Sequence, residues 1–180
     1  MPYIILIITL LSSIFFGCER PKIENTQTKP DHKNIASQQD LQQITYKQVV
    51  YAPVYSDIYH YDEKATIPLS ATLSIRNTDR KQSLYIYLID YYDTDGNLIR
   101  KYLSKPIFLK PLQTDSYVVE FSESKGGTGA NFIIELGGKG KVTPPLIETI
   151  MISTQNNMGI SFVSQSKIIE EITIKKQNYQ

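Results

Sequence analysis

The sequence predicts an all-β protein, an immunoglobulin-like antiparallel β-sandwich that follows a cleaved signal peptide and a disordered tether. Three observations carry this prediction. Short runs of β-branched and aromatic residues recur between residues 46 and 173, separated by Gly, Pro, Asn and Asp. Several runs alternate apolar and polar residues with a period of two, and the domain shows no helical period. The composition also changes near residue 45, from polar and rich in Gln, Asn and Lys to apolar and rich in tyrosine.

Residues 1–17 read as a lipoprotein signal peptide. An apolar run from Tyr3 to Phe16, interrupted by Thr9, Ser12 and Ser13, ends at Gly17-Cys18. It is shorter than the roughly 20 residues a helix needs to cross a ~30 Å hydrocarbon core, which favours a cleaved signal over a permanent anchor. The segment before the run carries no Lys or Arg, and Phe15 stands three residues before the cysteine. Cys18, the only cysteine, becomes the acylated first residue of the mature chain. More than one acyl chain of the palmitate type, at about 0.8 kcal/mol per buried CH₂, holds a protein stably at a membrane. A single thiol permits no internal disulfide, so the domain has to fold on apolar burial. Glu19 follows where an Asp would retain an enteric-type lipoprotein at the inner membrane. The expected location is the cell envelope, at the outer membrane facing the periplasm.

From Cys18 to residue 45 there is almost nothing to bury, and the segment reads as a flexible tether. His32 lies there with no second His or Cys nearby. The domain then runs from 46 to 173, enough chain for one sandwich, and residues 174–180 read as a disordered tail.

Strands are expected at Gln48 to Tyr51 and at Ala71 to Arg76, where Ala71, Leu73 and Ile75 share the apolar face. Leu84 to Tyr92 is apolar on both faces, as a central strand should be, with Tyr85, Tyr87 and Tyr91 on one side and Leu84, Ile86 and Leu88 on the other. Further strands are expected at Leu98 to Leu103, Tyr117 to Phe121, Phe132 to Leu136, Ile147 to Ser153 and Gly159 to Ile169. This number of short strands favours a sandwich over a barrel. Between Leu84–Tyr92 and Leu98–Leu103 the run Asp93-Thr94-Asp95-Gly96-Asn97 is a hairpin turn, because Gly after Asp supplies a positive φ. A three-residue loop, Thr94 to Gly96, sets Asp90 opposite Arg100; a two-residue loop sets it opposite Lys101. The Arg100 pairing is the expectation.

Five segments resemble a bacterial family known as domain of unknown function 3124 (DUF3124). They are Val50 to His60, Ala71 to Asp79, Asp90 to Gly96, Gly126 to Phe132 and Gly159 to Phe162, in that order, and they span nearly all of the domain. The resemblance implies an exported or lipid-anchored protein and carries no catalytic residue with it.

Candidate sites follow from residue chemistry. Asp93-x-Asp95-Gly96-Asn97 offers alternating oxygens but lacks the third ligand and the distant Glu of a calcium loop. Gly126-Gly127-Thr128-Gly129 precedes a strand and ends in no Gly-Lys-Ser/Thr, which argues against nucleotide; a tight hairpin loop or a backbone nest for an anion or carbonyl remains. Asp57, His60, Asp62 and Glu63 cluster beside Tyr55, Tyr59 and Tyr61 in what reads as a surface loop, too poor in nitrogen and sulfur ligands for zinc. Polar tips beside tyrosines suit recognition. The candidate binding residues are therefore Tyr55, Asp57, His60, Gly127, Gly129 and Asn131.

The tyrosines of Leu84 to Tyr92 serve either as packing or as a platform for sugar or peptide. Glu120 and Glu135, on strands expected to pair, superficially suggest a glycosidase couple but fit exposed strand faces. No Gly-x-Ser-x-Gly elbow occurs, and His60 is the domain's only histidine. A formal net charge of +1 without a basic stripe argues against nucleic acid. No catalytic residue, metal or cofactor is therefore assigned. The expectation is a non-catalytic binding or assembly module, attached to the membrane by its lipid, recognising another envelope protein through rim loops and an exposed sheet edge. The alternatives are a carbohydrate or calcium binder and a divergent hydrolase.

Overall fold

The computed structural model of the protein describes residues 34–121, 124–155 and 159–174. The signal peptide, Cys18 and most of the expected tether lie outside these residues.

A helical turn, α1 (Gln38–Gln42), precedes the strands β1 (Tyr46–Pro53), β2 (Asp57–His60), β3 (Asp62–Pro68), β4 (Ser70–Arg76), β5 (Leu84–Tyr92) and β6 (Leu98–Lys101). There follow β7 (Ile107–Leu109), β8 (Thr114–Val119), β9 (Asn131–Gly138), β10 (Leu146–Ser153), β11 (Ile160–Gln165) and β12 (Lys167–Thr173). One antiparallel sheet has the order β12-β1-β9-β5-β6 with β7 also on β5; the second has the order β11-β10-β4-β8; among the described residues β2 and β3 pair only with each other. The chain is thus an all-β antiparallel sandwich.

Its core lies between the two larger sheets. Val50, Ala52, Ile86, Ile89, Phe132, Ile134 and Leu136 from the first meet Ala71, Leu73, Ile75, Tyr117, Val119, Ile147 and Met151 from the second. The alternation anticipated in β4 and β9 is the inward face of each strand, and truncating a core aromatic such as Phe132 to Ala should cost about 3–5 kcal/mol.

Several expectations need correction. In β5, Ile86 pairs with Leu136 and Leu88 with Glu135, so Tyr87 is an extra, bulged residue. The bulge reverses the alternation: Leu84, Ile86, Ile89 and Tyr91 all join the main core, while Tyr85 lies in a separate cluster with Ala36 and Ile44. The three tyrosines therefore do not share a face.

In the β5–β6 hairpin the Asp93 amide donates to the Asn97 carbonyl (3.0 Å), giving the three-residue loop, and Tyr92 faces Leu98. Tyr91 then faces Arg100, because a register shift makes Ile99 extra. Asp90 is consequently opposite Lys101, not Arg100. The shift lets Ile99 and Tyr102, three residues apart, both pack on the core.

The expected long strand from Gly159 to Ile169 breaks at Ser166: β11 pairs with β10 in one sheet, and β12 pairs with β1 in the other. Glu120 and Glu135 also separate, since β8 pairs with β4 and β9 with β1 and β5.

The tether ends earlier than expected. From Asn34 the chain lies on the outer face of the larger sheet, with Ile35 bridging to Ile107 and the Ala36 amide donating to the Pro106 carbonyl (3.0 Å). Ser37 caps α1 by accepting from the Asp40 amide (3.1 Å). The Asp40 carboxylate binds Lys139 Nζ (2.8 Å) and accepts from the Tyr85 hydroxyl (3.2 Å), and the Lys139 ammonium, then Ser37, holds its pKa at about 2. At the other terminus β12 ends at Thr173 and the Ile174 amide donates to the Thr45 carbonyl (2.7 Å); the rest of the expected tail lies outside the described residues.

Candidate functional site at one end of the sandwich

Three of the segments singled out in the sequence meet at one end of the sandwich. They are the β1–β2 connection, the β5–β6 turn and the glycine loop that leads into β9. As β1 ends, the Val54 amide donates to the Ala130 carbonyl (3.0 Å). Ser56, fully buried, then donates to the Gly127 carbonyl from both its amide and its hydroxyl, each at 3.1 Å. Its own carbonyl accepts from the Leu69 amide (2.8 Å), which closes the base of the β2–β3 hairpin. Tyr55 beside it packs edge-on against Phe162 at 5.8 Å.

Thr94 holds the other side. Its amide and hydroxyl both donate to the Gly126 carbonyl at 2.9 Å, and the hydroxyl accepts from the Gly129 amide at 2.9 Å. The glycines are required by space and conformation. A Cβ on Gly126 would run into the Tyr91 hydroxyl and the Ser56 side chain, and Gly127 has φ +76° with Thr94 Oγ1 against it. The loop is therefore a tightly tied connection. The carbonyls of Gly126 and Gly127 and the amide of Gly129 all bond within the protein.

The turn's carboxylate is occupied as well. Asp93 Oδ1 accepts from the amides of Asp95 (2.9 Å) and Asn97 (2.7 Å), and Oδ2 accepts from the Asn97 side-chain amide (3.1 Å). These bonds, those from Asn97 foremost, hold its pKa below the usual carboxylate range. The turn is a self-contained Asx turn. Among the described residues, no group of three His, Cys, Asp or Glu side chains could hold a metal ion.

The segment read as a surface loop is instead the β2–β3 hairpin, separate from both sheets. Ile58 packs against the main core, while Tyr59 and Tyr61 are 63% and 95% exposed. Tyr61 turns the tip with φ +65°, the His60 ring lies 3.8 Å from the Tyr61 ring, and Asp62 Oδ1 accepts from the amides of Lys64 (2.8 Å) and Ala65 (3.1 Å). Asp57 sits at the hairpin's root, where burial pushes its carboxyl pKa up.

Of the expected site residues, Tyr55, Gly127 and Gly129 come together through Ser56 and Thr94. Asp57 stands at the root of the hairpin and His60 at its tip. Asn131 is not in a loop but begins β9, between Pro53 and Tyr92. Ser56 and Thr94 were missed as organising residues, although both fall within the segments that carried the family resemblance.

Three clefts of about 280, 330 and 340 Å³ lie elsewhere, lined respectively by Tyr85 and Lys139, by Gln48 and Ser166, and by Phe121 and Ser153 among others; none of the three contains His60. Tyr91 is fully buried and Tyr85 nearly so, so the central strand offers no row of exposed rings for a sugar.

The far end of β4 carries a second tie that the sequence reading did not single out. Asn77 Nδ2 donates to the carbonyls of Gln82, Leu109 and Lys110 (2.9, 3.2 and 3.0 Å). Asp79 accepts from the amides of Lys81 (2.8 Å) and Gln82 (2.9 Å) and from the Thr143 hydroxyl (2.9 Å). Those bonds, Gln82 first, hold its carboxyl at about 2.

An antiparallel sandwich with one end tied by Ser56, Thr94 and a glycine loop, and a free hairpin above it, defines the class of protein. The chain belongs to the family described as Protein of unknown function (DUF3124), whose family model matches residues 47–169. No curated protein matches it. Among solved structures it is similar to one titled "Crystal Structure of Thermotoga maritima 1070", at 10% identity and a TM-score of 0.38, over 67% of this chain and 92% of that one.

Proposed function

We propose that this protein is a lipid-anchored component of the cell envelope, held at the outer membrane through Cys18, whose sandwich is a non-catalytic module for binding another envelope protein. The observation that carries the binding role is the β2–β3 hairpin. Its base is fastened to the sandwich by Ser56, while the rings of Tyr59 and Tyr61 stand in solvent. Burying large, rigid aromatic rings costs little side-chain entropy, so a fixed hairpin presenting two of them supplies the anchors that protein interfaces use. Its main-chain edges offer additional pairing to an extended partner segment.

The anchor and the recognition surface are tested separately. Mass spectrometry of the mature protein should find an acylated Cys18 at the amino terminus; an unprocessed Met1 refutes the anchor. Crosslinking in intact cells, followed by capture, should recover a defined envelope protein. Tyr59→Ala/Tyr61→Ala should abolish that recovery without lowering the melting temperature. Recovery undiminished by the double substitution removes the hairpin from the interface.

A further inference from the structure

We infer that the cleft where the chain crosses between the sheets binds a small neutral molecule with an aliphatic body and an N–H or O–H donor. An aliphatic carboxamide is the simplest such ligand. This inference is independent of the hairpin and of the lipid anchor. In β1 the alternation buries Tyr46, Gln48, Val50 and Ala52. Tyr46, Val50 and Ala52 join the main core, whereas Gln48, 3% exposed, places a polar side chain where an aliphatic one would pack.

The donors of that amide are both used. Nε2 donates to the Tyr46 hydroxyl (2.7 Å) and to Glu171 Oε1 (2.9 Å), and the hydroxyl donates to the same carboxylate oxygen (2.8 Å). A carboxylate only accepts, so the amide must turn its NH₂ toward Glu171, and the Gln48 bond foremost holds that carboxyl below its usual pKa. Chemistry therefore fixes which way the amide faces. What remains is Oε1, an acceptor shielded from bulk water and without a partner. A buried acceptor left unmatched is destabilising, and native folds leave few of them, so this one calls for a donor that is not part of the chain.

Space for that donor lies beside Gln48. The residue lines a cleft of about 330 Å³ together with Val50, Pro145, Ile147, Ser166 and Ile168. One water takes up about 30 Å³ in the liquid, so the cleft admits a guest much larger than a bridging water. An apolar concavity with a few polar groups is the usual form of a small-molecule site. Val50, Pro145, Ile147 and Ile168 supply the apolar walls, and Ser166, whose amide donates to the Ile147 carbonyl (3.3 Å), adds a hydroxyl. Lys167 also borders the cleft but is exposed, so its charge stays in water and asks for no counter-charge in the guest. A carboxamide gives an N–H to Gln48 Oε1, accepts from the Ser166 hydroxyl and lays its alkyl part on the walls. Ile168 pairs across from Val50 on the edge strand and is 39% exposed, so rotation of its side chain opens Gln48 to such a guest.

The test uses the full chain in detergent micelles, labelled for nuclear magnetic resonance. Isobutyramide should shift the Gln48 side-chain amide and the Ser166 resonances saturably. N,N-dimethylisobutyramide, which keeps the carbonyl and lacks the N–H, should bind roughly tenfold more weakly, the worth of one neutral hydrogen bond. Gln48→Leu should erase that preference, leaving the two amides about equal. Ser166→Ala, at a half-buried connecting residue, should keep the fold and weaken isobutyramide several-fold. The absence of a saturable shift, which leaves an ordered water only in the cleft, overturns the inference. So does equal binding of the two amides to the parent, a preference that survives Gln48→Leu, or undiminished binding to Ser166→Ala.

Discussion

Thr94 and Gly126 are joined twice, the amide and the hydroxyl of the threonine both donating to the same glycine carbonyl at 2.9 Å. The hydroxyl also accepts the Gly129 amide, so one side chain fastens the β5–β6 turn to the connection that leads into β9. Thr94→Val keeps the shape and the main-chain bond but removes the hydroxyl. It should lower stability by about 1 kcal/mol, the usual net worth of such a bond, and speed amide exchange at Gly129. Urea denaturation and hydrogen exchange measure both, and an unchanged exchange rate would contradict this role.

Substituting alanine at two glycines should be harmful for different reasons. At Gly126 the added methyl meets the Tyr91 hydroxyl and Ser56, and overpacking of that kind costs about 1–3 kcal/mol. At Gly96 nothing lies within 4 Å, but φ is +82°, and the left-handed conformation alone costs an alanine roughly 1–2 kcal/mol. Adding Tyr91→Phe should recover part of the loss at Gly126 and none at Gly96. Paired denaturation curves distinguish the two outcomes.

The Asp79 tie predicts a pH dependence. Its carboxyl lies at about 2 in the fold against an ordinary 3.8, so the folded state binds a proton less readily than the unfolded chain. Its contribution is therefore complete above about pH 4 and is lost as the pH falls through 2. Asp79→Asn should be less stable than the parent at neutral pH and should lose less stability between pH 4 and 2. Thermal melts across that range would show it, and parallel curves for the two proteins would reject it.

Much of the fold was legible in the sequence because alternation reports burial directly. Ala71, Leu73 and Ile75, like Phe132, Ile134 and Leu136, all turn inward as their pattern requires. What escaped depends on partner strands. Nothing local marks Tyr87 or Ile99 as the extra residue of a bulge, since each is extra only relative to the strand opposite. The same holds at Ser166, where one continuous apolar run exchanges one neighbour for another. The segment from Asn34 was missed because its few apolar residues, Ala36, Leu41 and Ile44, pay off only against Tyr85 and Phe108, far along the chain. At the candidate site the glycines and the tyrosine-flanked segment were visible as types, whereas Ser56 and Thr94 acquire their roles only when three distant loops meet.

The crossing at Ser166 makes the sandwich resemble a bound book. Along the margin of β11 and β12 an unbroken main chain stitches one layer to the other. Along the margin of β6 and β8 the Tyr102 hydroxyl on the Val118 carbonyl (2.9 Å) spans the layers as a clasp. The short connection from β7 to β8 joins the layers by main chain on that side as well, so the two leaves are held at both margins and cannot part far at either.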